Sequence, residues 1–190
     1  LIFNRIDFLL CMYYNADTQG VIIMSHMAHI KMKNGQRVDQ TVAEHCRATA
    51  VYAGKAIQSI GLYNTAYLAG LLHDIGKLQQ PFNDYLEAGF RGEKVFRGSV
   101  NHTFAGVKFI LERYHNSDDR FRILTSELIA TAIGSHHGLF DIENSTDSNK
   151  DNGFDHRIKC EEEINYDEVM KYFEEEIADF DEIDKLFDAA

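Results

Sequence analysis

Apolar residues recur at helical spacing through most windows of this 190-residue chain, and only one proline interrupts them. No clear alternating strand pattern is present, so the sequence predicts an all-α fold. Helices are expected over about 41–60, 65–75, 101–115, 122–136, 166–178 and 181–188. Asn101 suits a helix N-cap. Gly76 and Gly138 follow helical runs, where a left-handed C-cap residue would stand. The polar, glycine-containing stretches 79–100 and 138–160 are expected to be loops.

The length suits one domain, and 45% hydrophobic residues are enough for a core. The longest apolar runs near the start, FLLCMYY and VIIM, fall far short of the roughly 20 residues of a membrane span. No secretory signal is recognisable, and Cys11, Cys46 and Cys160 form no CxxC pair, so a cytoplasmic protein is expected. The net charge of −11 is unevenly placed. Residues 151–190 hold 15 acidic and 4 basic side chains, whereas residues 1–150 hold 15 of each. A phosphate-bearing ligand is therefore compatible with the first 150 residues.

Three segments follow from this pass. Residues 27–160 form the expected core, and 161–190 an acidic helical tail packing on it. Residues 1–26 are of uncertain origin, because Ser25-His26-Met27 matches a cloning scar as well as native sequence. The tail carries an apolar stripe of Val169, Tyr172, Phe173 and Ile177.

Six residues stand out: His45, His73, Asp74, His102, His136 and His137. His73-Asp74 closes one predicted helix in LLHDIGK, and His136-His137 closes another in SHHG. His102 opens a third, and His45 lies in the first turns of the helix starting near Thr41. Side chains from several helices can converge where the helices end. Imidazole with carboxylate suits Mn, Fe, Co, Ni or Zn rather than calcium. Five histidines with one carboxylate able to bridge exceed what one ion needs, so the count favours two divalent transition metal ions. Taken singly, each histidine is as readily a capping or half-buried residue; the combination points to a metal site. His26, His29, His115 and His156 lack such context and are expected to be surface or scar residues. Lys77 follows the pair by one turn, where it could meet a phosphate oxygen or simply favour the helix C-terminus. Arg91, Lys94 and Arg97 would form a solvated loop face, with phosphate tracking the functional alternative. Phe82, Tyr85, Phe90 and Phe96 are candidate stacking residues, with core packing the simpler role for the first two.

HDIGK with these flanking histidines resembles the HD phosphohydrolase superfamily. EHCRATA, LAGLLHDIGKLQQPFNDYL, VNHTFAGV and IGSHHGLFD more closely resemble the HD nuclease domain of CRISPR type I interference, over residues 27 to about 141. The resemblance implies an HD-domain helical bundle with a metal site at converging helix ends. It also implies an endo- or exonuclease of single-stranded DNA in antiviral defence. Its partners would be an RNA-guided surveillance complex and a helicase, on a separate chain or in a missing C-terminal portion. By position, His45, His73 and Asp74 would hold one ion, and Asp74, His102, His136 and His137 the second. Lys77 matches the family lysine, and Asp74 and Lys77 would be catalytic. The family's late aspartate has no counterpart after His137. The stretch at 3–18 looks like that helix displaced, with Asp17 as the ligand; Asp179, Asp181 and Asp184 are the alternatives.

Two rival readings use the same residues differently. One is a phosphohydrolase acting on a nucleotide or cyclic dinucleotide, although HHGLFDIENS lacks the GYP-bearing loop of HD-GYP phosphodiesterases. The other is an inactive domain whose acidic tail docks a partner.

Overall fold

The computed structural model describes residues 25–96, 98–138 and 164–190. Among them the fold is helical, with one small sheet that the sequence reading did not foresee. Strands β1 (Met27–Lys33) and β2 (Gln36–Thr41) pair antiparallel, with Lys33 opposite Gln36. The turn between them is Asn34-Gly35, with φ of 52° and 77°. Two successive positive φ values suit a two-residue hairpin, because they twist the chain with the strands. Both strands are largely exposed, so no alternating apolar pattern announces them.

Helix α1 (Val42–Ile57) follows β2 directly. Thr41 and Glu44 form a capping box: Glu44 N donates to Thr41 Oγ1 at 3.1 Å, and Thr41 N donates to Glu44 Oε2 at 3.0 Å. That box sets the start of the helix three residues before His45. Helix α2 (Tyr63–Leu72) returns alongside α1 and ends at His73. A 3-10 turn (Ile75–Leu78) leads into α3 (Gln80–Phe90), which has Pro81 in its first turn. The region 79–100, expected to be a loop, is therefore helical as far as Phe90. Phe82, Tyr85, Leu86 and Phe90 carry its helical spacing, and Gly89 and the polar residues between them obscure it.

Helix α4 (Phe104–Ile110) runs on through a π-helical turn (Leu111–His115). Helix α5 (Arg120–Gly134) is capped by Asp119, whose side chain accepts from Phe121 N. The last two helices are α6 (Tyr166–Glu176) and α7 (Phe180–Asp188). Their apolar residues enter the main core: Val169, Phe173 and Ile183 are fully buried with Leu68, Leu72, Ile75, Leu78, Phe104, Ile129 and Ile133. Phe187 stacks on Tyr114 at 3.7 Å, and Asp184 accepts from Arg113 and from the Tyr114 hydroxyl.

Two sequence expectations about helix ends change. Asn101 does not cap α4, which starts at Phe104 without a side-chain cap. Gly76 is not a left-handed C-cap; it lies inside the 3-10 turn and has no positive φ. Its role is steric. A Cβ there would stand 2.1 Å from the His102 carbonyl oxygen. Gly138 does have a positive φ, but it lies four residues beyond the last residue of α5.

Thr41→Ala removes one half of the capping box and should cost about 1 kcal/mol in equilibrium unfolding. Gly76→Ala forces backbone apart and should cost about 1–3 kcal/mol or more. A Gly76→Ala protein with unchanged unfolding midpoint would mean that the turn and the His102 segment do not pack this closely.

Candidate metal centre

Four chain segments deliver the six singled-out residues to one place. His45 comes from the first turns of α1, and His73 and Asp74 from the end of α2. His102 precedes α4, and His136 and His137 follow α5. The delivery depends on local bonds. Gln79, 2% exposed, donates from its Nε2 to Gly76 O at 2.7 Å and to Asn101 O at 2.8 Å. This amide ties the turn after Asp74 to the segment carrying His102.

The histidines are oriented through their Nδ1 atoms. His73 donates to Gly70 O at 2.8 Å, His136 to Ile133 O at 2.7 Å and His102 to Val100 O at 3.1 Å. A neutral imidazole that donates from Nδ1 keeps a lone pair at Nε2, and this is how ligand histidines are commonly held. All three Nε2 atoms face the Asp74 carboxylate, at 3.1 Å from Oδ2 for His73 and at 3.5 and 3.8 Å from Oδ1 for His136 and His102. His45 Nε2 lies 2.9 Å from Oδ2.

Asp74 therefore divides the centre in two. Oδ2 faces His45 and His73, and Oδ1 faces His102 and His136, with His137 2.9 Å from His102. In each set, His45-His73-Asp74 and Asp74-His102-His136-His137, one ligand atom per residue lies within 4.8 Å of every other. Asp74 is 3% exposed, and its Oδ1 and the Nε2 of His136 are buried with no hydrogen-bond partner. Lone pairs directed at lone pairs, with a buried acceptor left over, fit divalent cations placed between them. Both sets could hold an ion.

The electrostatics agree with a permanently ionised carboxylate. Burial alone would raise the Asp74 pKa, but the facing imidazoles of His136, His45 and His73 hold it well below the usual carboxylate range. Burial lowers His102 to about 4. Partial burial would lower the His136 pKa too, yet the facing Asp74 carboxylate raises it. Cys46, beside His45 in sequence, is a buried thiol pushed up to about 12 by desolvation and is no ligand at neutral pH.

Lys77, expected either to meet a phosphate oxygen or to favour the helix C-terminus, is 5% exposed, with its Nζ 2.9 Å from Asp74 Oδ2 and over the Phe82 ring. Arg91 is an exposed residue paired with Glu93, and Lys94 lies over the exposed Phe96 ring. Neither belongs to the centre. Arg97 and Asp17 lie outside the described residues, as do Cys11, Cys160 and His156. Of the alternative aspartates, Asp179 caps α7 through Glu182 N and Asp184 is bound to Arg113, and Asp181 is exposed. No second aspartate joins either ligand set among the described residues.

Of the four histidines expected to be surface or scar residues, His26 is instead buried, donates from Nδ1 to Glu176 Oε1 at 2.6 Å and packs on Tyr172. His29 on β1 is exposed, as expected, yet it meets the His45 ring edge-on at 4.8 Å, so it stands at the rim of the centre. The Asn34-Gly35 dipeptide was the available signal, because recognising the hairpin folds His29 back toward α1. His115 is a surface residue paired with Glu127.

The depressed His102 pKa predicts an acid sensitivity in metal-free protein. The unfolded chain takes up this proton near 6.5, and the folded chain only near 4. The contribution is therefore complete above about pH 6.5 and is lost as pH falls toward 4. Urea midpoints of chelator-treated protein should fall more steeply from pH 7 to pH 5 in wild type than in His102→Gln. Parallel curves would refute the assignment.

No helix among the described residues is long and apolar enough to cross a membrane. No curated protein matches the chain. The model of the HD domain family matches residues 42–186, from the start of α1 into α7 and across all six residues of the centre. HD domains are generally metal-dependent hydrolases that bind divalent metals. With this match over most of its length and this donor set, the chain belongs to the HD domain family.

Proposed function

We propose that this HD domain is a metal-dependent phosphodiesterase that cleaves single-stranded DNA, in the manner of the CRISPR type I nucleases that its motifs resemble. The observation that carries the reading is the sharing of one buried carboxylate between two histidine sets. Two divalent ions bound there would act as Lewis acids on a phosphodiester and would make water a competent nucleophile near neutral pH. His45, His73 and Asp74 would hold one ion, and Asp74, His102, His136 and His137 the other.

The chain's own residues prepare that chemistry. Backbone carbonyls fix the tautomers of His73, His102 and His136, so little rearrangement is needed for binding. Asp74 stays ionised throughout the neutral range. Lys77 brings its Nζ to within 2.9 Å of the same carboxylate, and we assign it to stabilising negative charge on the phosphate. No described serine, threonine or cysteine stands in the centre as a nucleophile, since Cys46 is buried and protonated. Unwound strand would come from a helicase, on a separate chain or in a further C-terminal portion, within an RNA-guided defence complex in the cytoplasm.

Protein purified without chelator should carry about two transition metal ions per chain. It should cut circular single-stranded DNA, and Asp74→Asn should lose both metal and cleavage. Hydrolysis of a cyclic dinucleotide with no cleavage of DNA would replace this reading with that of a small-molecule phosphohydrolase.

A further inference from the structure

The hairpin is irregular at one point, and the irregularity lies beside a ligand histidine. Met27 pairs with Thr41 and His29 with Gln40, so Ala28 is an extra residue on β1. A bulge of this kind bends its strand and re-aims a neighbouring side chain. Ala28 is buried, and His29 after it is exposed. Because Thr41 also caps α1, this end of the hairpin lies against the start of that helix. There the His29 ring meets the His45 ring at 4.8 Å. The backbone around the bulge is held from several sides. Met27 N donates to Asn83 Oδ1 on α3 at 2.9 Å, Val42 N donates to His26 O at 2.8 Å, and His26 bonds Glu176 on α6. His29 is thus an exposed side chain on an anchored strand end.

Its surroundings belong to one half of the metal centre. His45 Nε2 and Lys77 Nζ each lie 2.9 Å from Asp74 Oδ2. Partial desolvation, then the Lys77 charge, lower the His29 pKa to about 4, and His45, Asp74 and His73 also act on the ring. In this half the side chains of His45, His73 and Asp74 are 20%, 12% and 5% exposed, so solvent reaches it from the His45 side. His29 stands on that side. It joins neither ligand set among the described residues, so its place is beside whatever the ligand set binds.

We propose that His29 is a substrate-binding residue, donating a hydrogen bond to a phosphate oxygen held at the His45-His73-Asp74 half. The proposal rests on the phosphodiesterase reading above and adds a contact that reading does not assign. An imidazole carries an N–H whether neutral or protonated, so the contact requires no change of protonation. A hydrogen bond to a charged phosphate oxygen is stronger than one between neutral groups.

The test is calorimetric titration of metal-loaded protein with inorganic phosphate, with metal content measured on the same samples. His29→Phe keeps a ring against His45 but has no N–H, whereas His29→Gln loses the ring and keeps a donor. His29→Phe should bind phosphate about tenfold more weakly than wild type, the effect of losing one hydrogen bond to a charged group. His29→Gln should stay within about threefold of wild type. His115→Ala, at the exposed histidine paired with Glu127, should bind like wild type. All four proteins should carry the same metal content. Equal phosphate affinity in wild type and His29→Phe overturns the proposal, and so does a wild type that binds no phosphate. Loss of metal from His29→Phe also overturns it, because His29 would then act by holding His45. A fall in His29→Gln as large as that in His29→Phe overturns it too, since the donor would not be what matters. Cleavage of circular single-stranded DNA separates this contact from the reading it rests on. If no DNA is cut but His29→Phe binds phosphate more weakly, the nuclease reading fails while the contact stands. If DNA is cut and His29→Phe binds phosphate like wild type, the contact fails while the nuclease reading stands.

Discussion

A single carboxylate, buried to within 3% of full enclosure and faced by four imidazoles and an ammonium, sets the terms for the rest of this fold. A charge in such a place is costly unless compensated. Here the compensation comes from four separate parts of the chain. Each helix that supplies a ligand must therefore end at the same point. Small residues allow this: Gly76 accepts the His102 backbone, and Gly106 in α4 accepts the carbonyl of Leu72. The apolar helices hold those ends in place, with Leu72, Ile75 and Phe104 fully buried around them.

The orientation of the site is a backbone property as much as a side-chain one. Three ligand histidines are tethered to carbonyls two or three residues earlier in their own segments. Two of those carbonyls, Gly70 and Ile133, lie in the last turns of α2 and α5, so the ends of the helices themselves orient the ligands. Gln79 performs a comparable service between two segments, satisfying the carbonyls of Gly76 and Asn101 with one buried amide.

Much of this was legible in the sequence, for a definite reason. His-Asp and His-His pairs closing apolar helical runs are uncommon, and only convergence explains six such residues together. The capping box at Thr41 and Glu44 and the amphipathic spacing of α6 and α7 have equally local causes. What escaped notice depended on tertiary context. The hairpin is mostly exposed and so shows no alternation; only Asn34-Gly35 marks it. With the hairpin unseen, His29 had no visible neighbour. Helix α3 was obscured because its apolar residues are separated by glutamine, asparagine, aspartate and glycine. The depth of Lys77 was not legible either, because spacing says nothing about it; the structure places its ammonium beside Asp74.

One tie runs across nearly the whole described chain. Both the backbone N–H and the ring of His26 bond the carboxylate of Glu176, 150 residues later, while Arg47 donates to the last carbonyls of α6. Loops of that span close slowly, because distant contacts repay their entropy late. On a ribosome, α1 to α5 emerge well before their partner in α6 exists. The bonds that tie the start of the hairpin to that helix can close only after it arrives. A nascent chain would carry the histidines long before it carried the helix that braces the hairpin beside them.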